Sequence, residues 1–110
     1  MAYDEELAER VREVLDGEDG ITEKKMFGGL AFLAGGSMAV SASGQGGLLV
    51  RCDPAHTGQH VTEPGVDRFA MRGRAMDGWL HVAPSAVATG EDLRRWVAVG
   101  LGYARSLPPR

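Results

Sequence analysis

Residues 30–42 read Leu30-Ala31-Phe32-Leu33-Ala34-Gly35-Gly36-Ser37-Met38-Ala39-Val40-Ser41-Ala42. Two apolar runs flank a pair of glycines. Both glycines can take positive φ, which a two-residue hairpin turn requires. The stretch therefore predicts a tight antiparallel hairpin, with Met38, Val40 and Ala42 alternating along its return strand.

Working outward, the sheet grows on both sides. Residues 22–27 are strand-like and end at Gly28-Gly29. A second glycine-rich turn, Ser43 to Gly47, leads into Leu48-Leu49-Val50-Arg51-Cys52. Short connections between three or four strands make a meander. Asp53-Pro54 opens a polar stretch that holds a short helix up to about His60. Val66 to Met71 and Trp79 to Ala83 read as two further strands.

Helices bracket this sheet. Asp4 is a good N-cap, and Glu5 and Glu6 sit where a helix dipole favours negative charge. Leu7, Ala8, Val11, Val14 and Leu15 form one stripe over residues 4–16, and Gly17 ends the helix. Thr89 caps a second helix, with Asp92 three residues on. Leu93, Trp96, Val97, Gly100, Leu101 and Ala104 trace its apolar stripe, which Pro108-Pro109 stops. The prediction is a two-layer α+β fold over a single domain, residues 1–110. An antiparallel sheet of about five to six strands carries the N- and C-terminal helices.

Bulk properties agree with such a domain. At 110 residues the chain buries roughly 60–70% of its unfolded surface. Its hydrophobic fraction of 44% and charged fraction of 25% are those of a globular protein and not a disordered one. The 16 glycines are about twice the usual share, as a turn-rich sheet demands. Cys52 is the only cysteine, so no internal disulfide forms, and a reducing, cytoplasmic setting is expected. The N-terminal residues Met1-Ala2-Tyr3-Asp4-Glu5-Glu6 are acidic, unlike a signal peptide. No run of about 18 apolar residues exists, so no membrane role is expected.

Charge is uneven. Residues 1–50 hold four basic and nine acidic groups, and residues 51–110 hold eight arginines and six acids. The net charge of −3 argues against polyanion binding by the whole surface. It leaves room for a local patch, and Arg68, Arg72 and Arg74 lie among Phe69, Met71, Met76 and Trp79. Such interleaving suits nucleic acid, and equally suits arginine stems covering a sheet.

Catalytic signatures are missing. The glycine pairs lie between strands, without the G-x-x-x-x-G-K-[ST] or G-x-G-x-x-G spacing that cradles phosphate. No serine has a G-x-S-x-G frame. Acidic pairs fall at helix ends and turns, where capping accounts for them. One weak metal candidate remains, Cys52-x-x-x-His56-x-x-x-His60. On a helix, His56 and His60 would share one face. No C-x-x-C knuckle supports it, and no metal or cofactor is expected.

The segment Glu23-Lys24-Lys25-Met26-Phe27-Gly28-Gly29-Leu30-Ala31-Phe32 resembles the [RK]-x-M-F-G-G segment of the TfoX (Sxy) N-terminal domain family. Residues 69–79, Phe69-Ala70-Met71-Arg72-Gly73-Arg74-Ala75-Met76-Asp77-Gly78-Trp79, look like its short stand-alone members. The ending from Trp96 to Pro109 does too. The resemblance implies a fold similar to secretion chaperones, which often dimerise. It implies no catalytic residue. The competence regulators of that family act as co-activators beside the cyclic-AMP receptor protein. They carry a second helical domain with no counterpart in these 110 residues.

The expected function is thus a non-enzymatic regulatory or protein-interaction module, possessing a protein partner and a possible homodimer. The alternative is a nucleic-acid-associated factor using Arg68, Arg72 and Arg74. Candidate partner-binding residues are Lys24, Lys25, Met26, Phe27, Gly28, Arg72, Arg74 and Trp79. Two accounts of Met26 to Gly29 stay open: a structural corner, or a docking ridge with Lys24 and Lys25. Gly100 and Ala104 permit close helix packing, which would favour a homodimer.

Overall fold

The computed structural model describes residues 3–26, 28–71 and 73–108. Helix α1 spans Glu5–Leu15. Strands β1 (Ile21–Met26), β2 (Gly29–Ala34), β3 (Ser37–Ala42) and β4 (Leu48–Arg51) follow as a meander. A 3-10 turn, Pro54–His56, runs into the one-turn helix α2, Thr57–His60. Strands β5 (Val66–Met71) and β6 (Arg74–Val82) form a hairpin, and helix α3 spans Gly90–Ser106. Among the described residues the sheet has six strands in the order β1-β2-β3-β4-β6-β5, and all its pairings are antiparallel. Strands β1 and β5 are its edges. The α+β architecture is the one expected from the sequence.

Local signals set the element ends. Asp4 accepts a hydrogen bond from the Leu7 amide at 3.1 Å, and Thr89 accepts one from the Asp92 amide at 3.1 Å. Each satisfies an amide that the helix itself cannot pair. Gly35 and Gly36 take φ of 60° and 86°, so the two-residue turn forms as the sequence predicts.

Both helices lie on one face of the sheet. Leu7, Val11 and Leu15 of α1 and Leu93, Trp96 and Val97 of α3 share a core with Phe32, Val40, Val50 and Leu80. Polar ties hold the layer. Arg10 donates to the Val87 and Ala88 carbonyls, and Arg12 joins α1 to β1 through Glu23 at 2.8 Å. That guanidinium holds the Glu23 carboxyl below its usual range and is itself held protonated more firmly.

The return strand of the hairpin departs from simple alternation. Phe32 faces Val40, but Leu33 faces Met38, so the register shifts around Ala39. This is a β-bulge, which puts two residues opposite one. Val40 and Ala42 enter the helix-side core, whereas Met38 joins a separate cluster with Ala31, Leu49 and Phe69. The expectation of one shared face for Met38, Val40 and Ala42 is corrected accordingly. The bulge lies directly against α3. A Cβ on Gly100 would overlap the Ala39 carbonyl oxygen and come within 2.8 Å of Val40 Cγ1. Helix and bulge approach as closely as backbone allows, and Ala34, Ala39 and Ala104 close the same seam. Gly100 and Ala104 therefore serve packing within the chain, which removes the motive they gave for a homodimer. Strand β6 also begins at Arg74 and not at Trp79, because Ala70 and Met71 of β5 pair with Ala75 and Arg74.

The seam gives the first prediction. Gly100→Ala should destabilise the protein by about 1–3 kcal/mol, the cost of overpacking a filled site. Gly102→Ala is the control, since a Cβ there meets nothing within 4 Å. Urea denaturation of the two variants compares them, and equal stability would show that α3 does not depend on this contact.

Candidate functional site

The second face of the sheet also carries apolar side chains. Ala31, Met38, Leu49 and Phe69 are buried there, with Met26, Leu33, Met76 and Trp79 half-buried around them. Every one of the six strands contributes, and every residue of the cluster is a strand residue. The helices lie on the other side. No helix of the described residues covers this cluster, so the half-buried Met26, Leu33, Met76 and Trp79 are the apolar groups it presents outward. Three of its eight members are methionines, whose flexible thioethers adapt to different partners.

The rim is basic. Lys24 pairs in register with Ala31 and so shares this face. The Arg51 guanidinium lies 4.9 Å from the centre of the Trp79 ring and 5.5 Å from that of Tyr103. A cation over an aromatic face gains from the ring quadrupole.

The candidate residues read from the sequence fall into separate places. Lys24, Met26 and Trp79 belong to the uncovered face. Lys25 pairs with Leu30 of the main core, so it projects to the helix side. Lys24 and Lys25 therefore make no common ridge. Gly28 takes φ of 76°, and a Cβ on Gly29 would overlap the Ala42 carbonyl oxygen. These are the marks of a structural corner. Phe27 and Arg72 lie outside the described residues.

Of the three patch arginines, Arg68 and Arg74 lie among the described residues. Arg68 is in register with Leu80 and pairs with Asp77 at 2.8 Å. Arg74 is exposed at the far end of the β5–β6 hairpin. With Arg68 neutralised, the electrostatic ground for the alternative is weakened.

Cys52, His56 and His60 do not converge. Cys52 is buried in the main core, His56 is exposed, and the His60 ring stands edge-on to Trp96 with centroids 5.5 Å apart. Among the described residues no group of three or more His, Cys, Asp or Glu side chains is placed to hold a metal. Burial raises the Cys52 thiol above its ordinary range, with Asp53 and Asp77 adding to the effect and Thr57 opposing it. A raised thiol is the reverse of an activated nucleophile.

Cys52 belongs instead to a lock. Its amide donates to the Gly78 carbonyl at 2.9 Å. The Gly78 amide donates to Thr57 Oγ1 at 2.7 Å, and that hydroxyl donates to the Pro54 carbonyl at 2.9 Å. Gly78 has φ of 87°, and a Cβ there would meet Pro54 Cγ at 3.1 Å. The lock fixes the residue before Trp79 and so the aromatic wall of the uncovered face.

Sequence reasoning missed the breadth of that face. Its signal was available, since Leu30 to Ala34 and Leu48 to Val50 are continuous apolar runs, as strands buried on both faces are. Arg51 carried no local signal.

Two measurements test the lock. Thr57→Val leaves the buried Gly78 amide without an acceptor and should cost about 1–3 kcal/mol in urea denaturation. Cys52 should react with iodoacetamide only as fast as the native structure opens. Alkylation as rapid in buffer as in urea would contradict its burial.

The family model described as the TfoX N-terminal domain matches residues 13–104. No curated protein matches the chain.

Proposed function

The chain belongs to the TfoX N-terminal domain family, and from that premise we propose that it is a non-enzymatic regulatory module. It docks a protein partner through the uncovered face of its sheet. The family is one of competence-related regulators. The observation that carries the docking is the cluster around Met38, Leu49 and Phe69, which draws on all six strands and has no helix over it. Lys24 and Arg51 at its margin favour a partner that is acidic where it meets them, and Asp67 on the β5 side favours a basic contact there.

A homodimer falls within the same proposal only through this face, since Gly100 and Ala104 are occupied against β3. No helix among the described residues is long and apolar enough to cross a membrane. The lone, buried Cys52 suits work in a reducing cytoplasm.

Leu33→Asp places a charge in the half-buried margin of the face, and Arg74→Ala changes only the exposed hairpin end. Tagged wild-type chain should retain a polypeptide from its native cell extract that L33D loses and R74A keeps. Circular dichroism should show all three folded. Retention unaffected by L33D would move the docking surface elsewhere. Light scattering distinguishes a second copy of the chain from another partner.

A further inference from the structure

One row of residues crosses all six strands on the uncovered face. In register it runs Lys24, Ala31, Ser41, Leu49, His81 and Asp67, from edge strand β1 to edge strand β5. Residues paired directly across a sheet share a face, and Ala31 and Leu49 fix that face as the uncovered one. Both ends of the row are exposed and charged, positive at β1 and negative at β5. The ion pairs among the described residues use neither Lys24 nor Asp67. The next row along the strands carries Leu33 on β2 and Trp79 on β6, both half-buried. Arg51, two residues beyond Leu49, turns its guanidinium to Trp79 and Tyr103 and so stays out of the charged row.

We propose that the occupant of this face is a second copy of the chain, seated face to face about a twofold axis parallel to the strands. This rests on the docking face proposed above and names its partner. A twofold between two stacked sheets runs either along the strands or across them. Along the strands it reverses the strand order, laying β1 over β5 and β2 over β6 of the other copy. Lys24 then meets the partner's Asp67, the same pair recurs at the opposite edge, and Leu33 meets the partner's Trp79. Across the strands it keeps the order, so Lys24 meets the partner's Lys24 and Asp67 meets the partner's Asp67. Opposite charges favour the first arrangement, and like charges penalise the second. Stacked sheets lie about 10 Å apart, a gap that a lysine and an aspartate reaching toward each other span. Six strands about 4.8 Å apart give a face about 24 Å wide, and six-residue strands make it about 20 Å long. Two such faces bury on the order of 1,000 Å², which is the lower limit of a specific interface.

Sedimentation equilibrium of the full chain alone tests the dimer. Toward about 500 µM the mass should approach that of two chains. Lys24→Asp and Asp67→Lys each set like charges against one another at both edges, and each should weaken the dimer roughly tenfold. The double variant K24D/D67K exchanges the charges and should return the dissociation constant to within about threefold of the unaltered chain. Both positions are exposed, and circular dichroism checks that every variant is folded. A chain that stays monomeric up to that concentration overturns the proposal. So do single variants that dimerise as tightly as the unaltered chain, or a double variant no better than the singles, since either places the contact or its axis elsewhere. None of these results touches the L33D-sensitive capture of a different polypeptide, which leaves the docking face to its own experiment.

Discussion

Helix α3 rests on β3 at a point where backbone approaches backbone. Gly100 faces the Ala39 carbonyl, and the bulge at Ala39 is what brings that carbonyl into place. The contact does more than hold a helix. Because the bulge shifts register, Met38 leaves the helix-side core and Val40 stays in it. The strand thus supplies apolar side chains to both faces. One backbone contact settles the depth of the main core and also the composition of the face opposite.

Much of the architecture was legible because its causes are local. Asp4 and Thr89 cap helices through bonds spanning three residues, and Gly35-Gly36 turns a hairpin from its own backbone freedom. What escaped the sequence depends on residues far apart in the chain. Nothing near Ala39 announces a bulge, and the residue it packs against, Gly100, lies in the last helix. Strand β6 looked shorter because Arg74, Ala75 and Asp77 are exposed, and only pairing with β5 makes that segment extended. The candidate site divides likewise. Met26 and Trp79 were read among the residues of one surface, whereas Lys24 and Lys25, grouped on one ridge, are divided by the strand period. Arg51 was not readable, because its meaning comes from Trp79 on one strand and Tyr103 on a helix.

The polar residues singled out from sequence turn out to divide between structure and surface. Cys52 and Thr57 fasten the bend at Gly78, and Arg68 is answered by Asp77. His60 packs beside Trp96. Arg51, which no sequence motif marked, lies against Trp79 and Tyr103 at the margin of the apolar face.

The two edge strands bear on how such a face survives in water. Strand β1 presents exposed Thr22, Glu23, Lys24 and Lys25, and β5 presents exposed Asp67 and Arg68. Charges along a sheet margin oppose strand-by-strand addition of further copies. A molecule that gathers on its apolar face alone forms pairs that end there. It cannot also extend sideways into fibres. The charged margins therefore oppose runaway edge-to-edge growth without covering the apolar face itself.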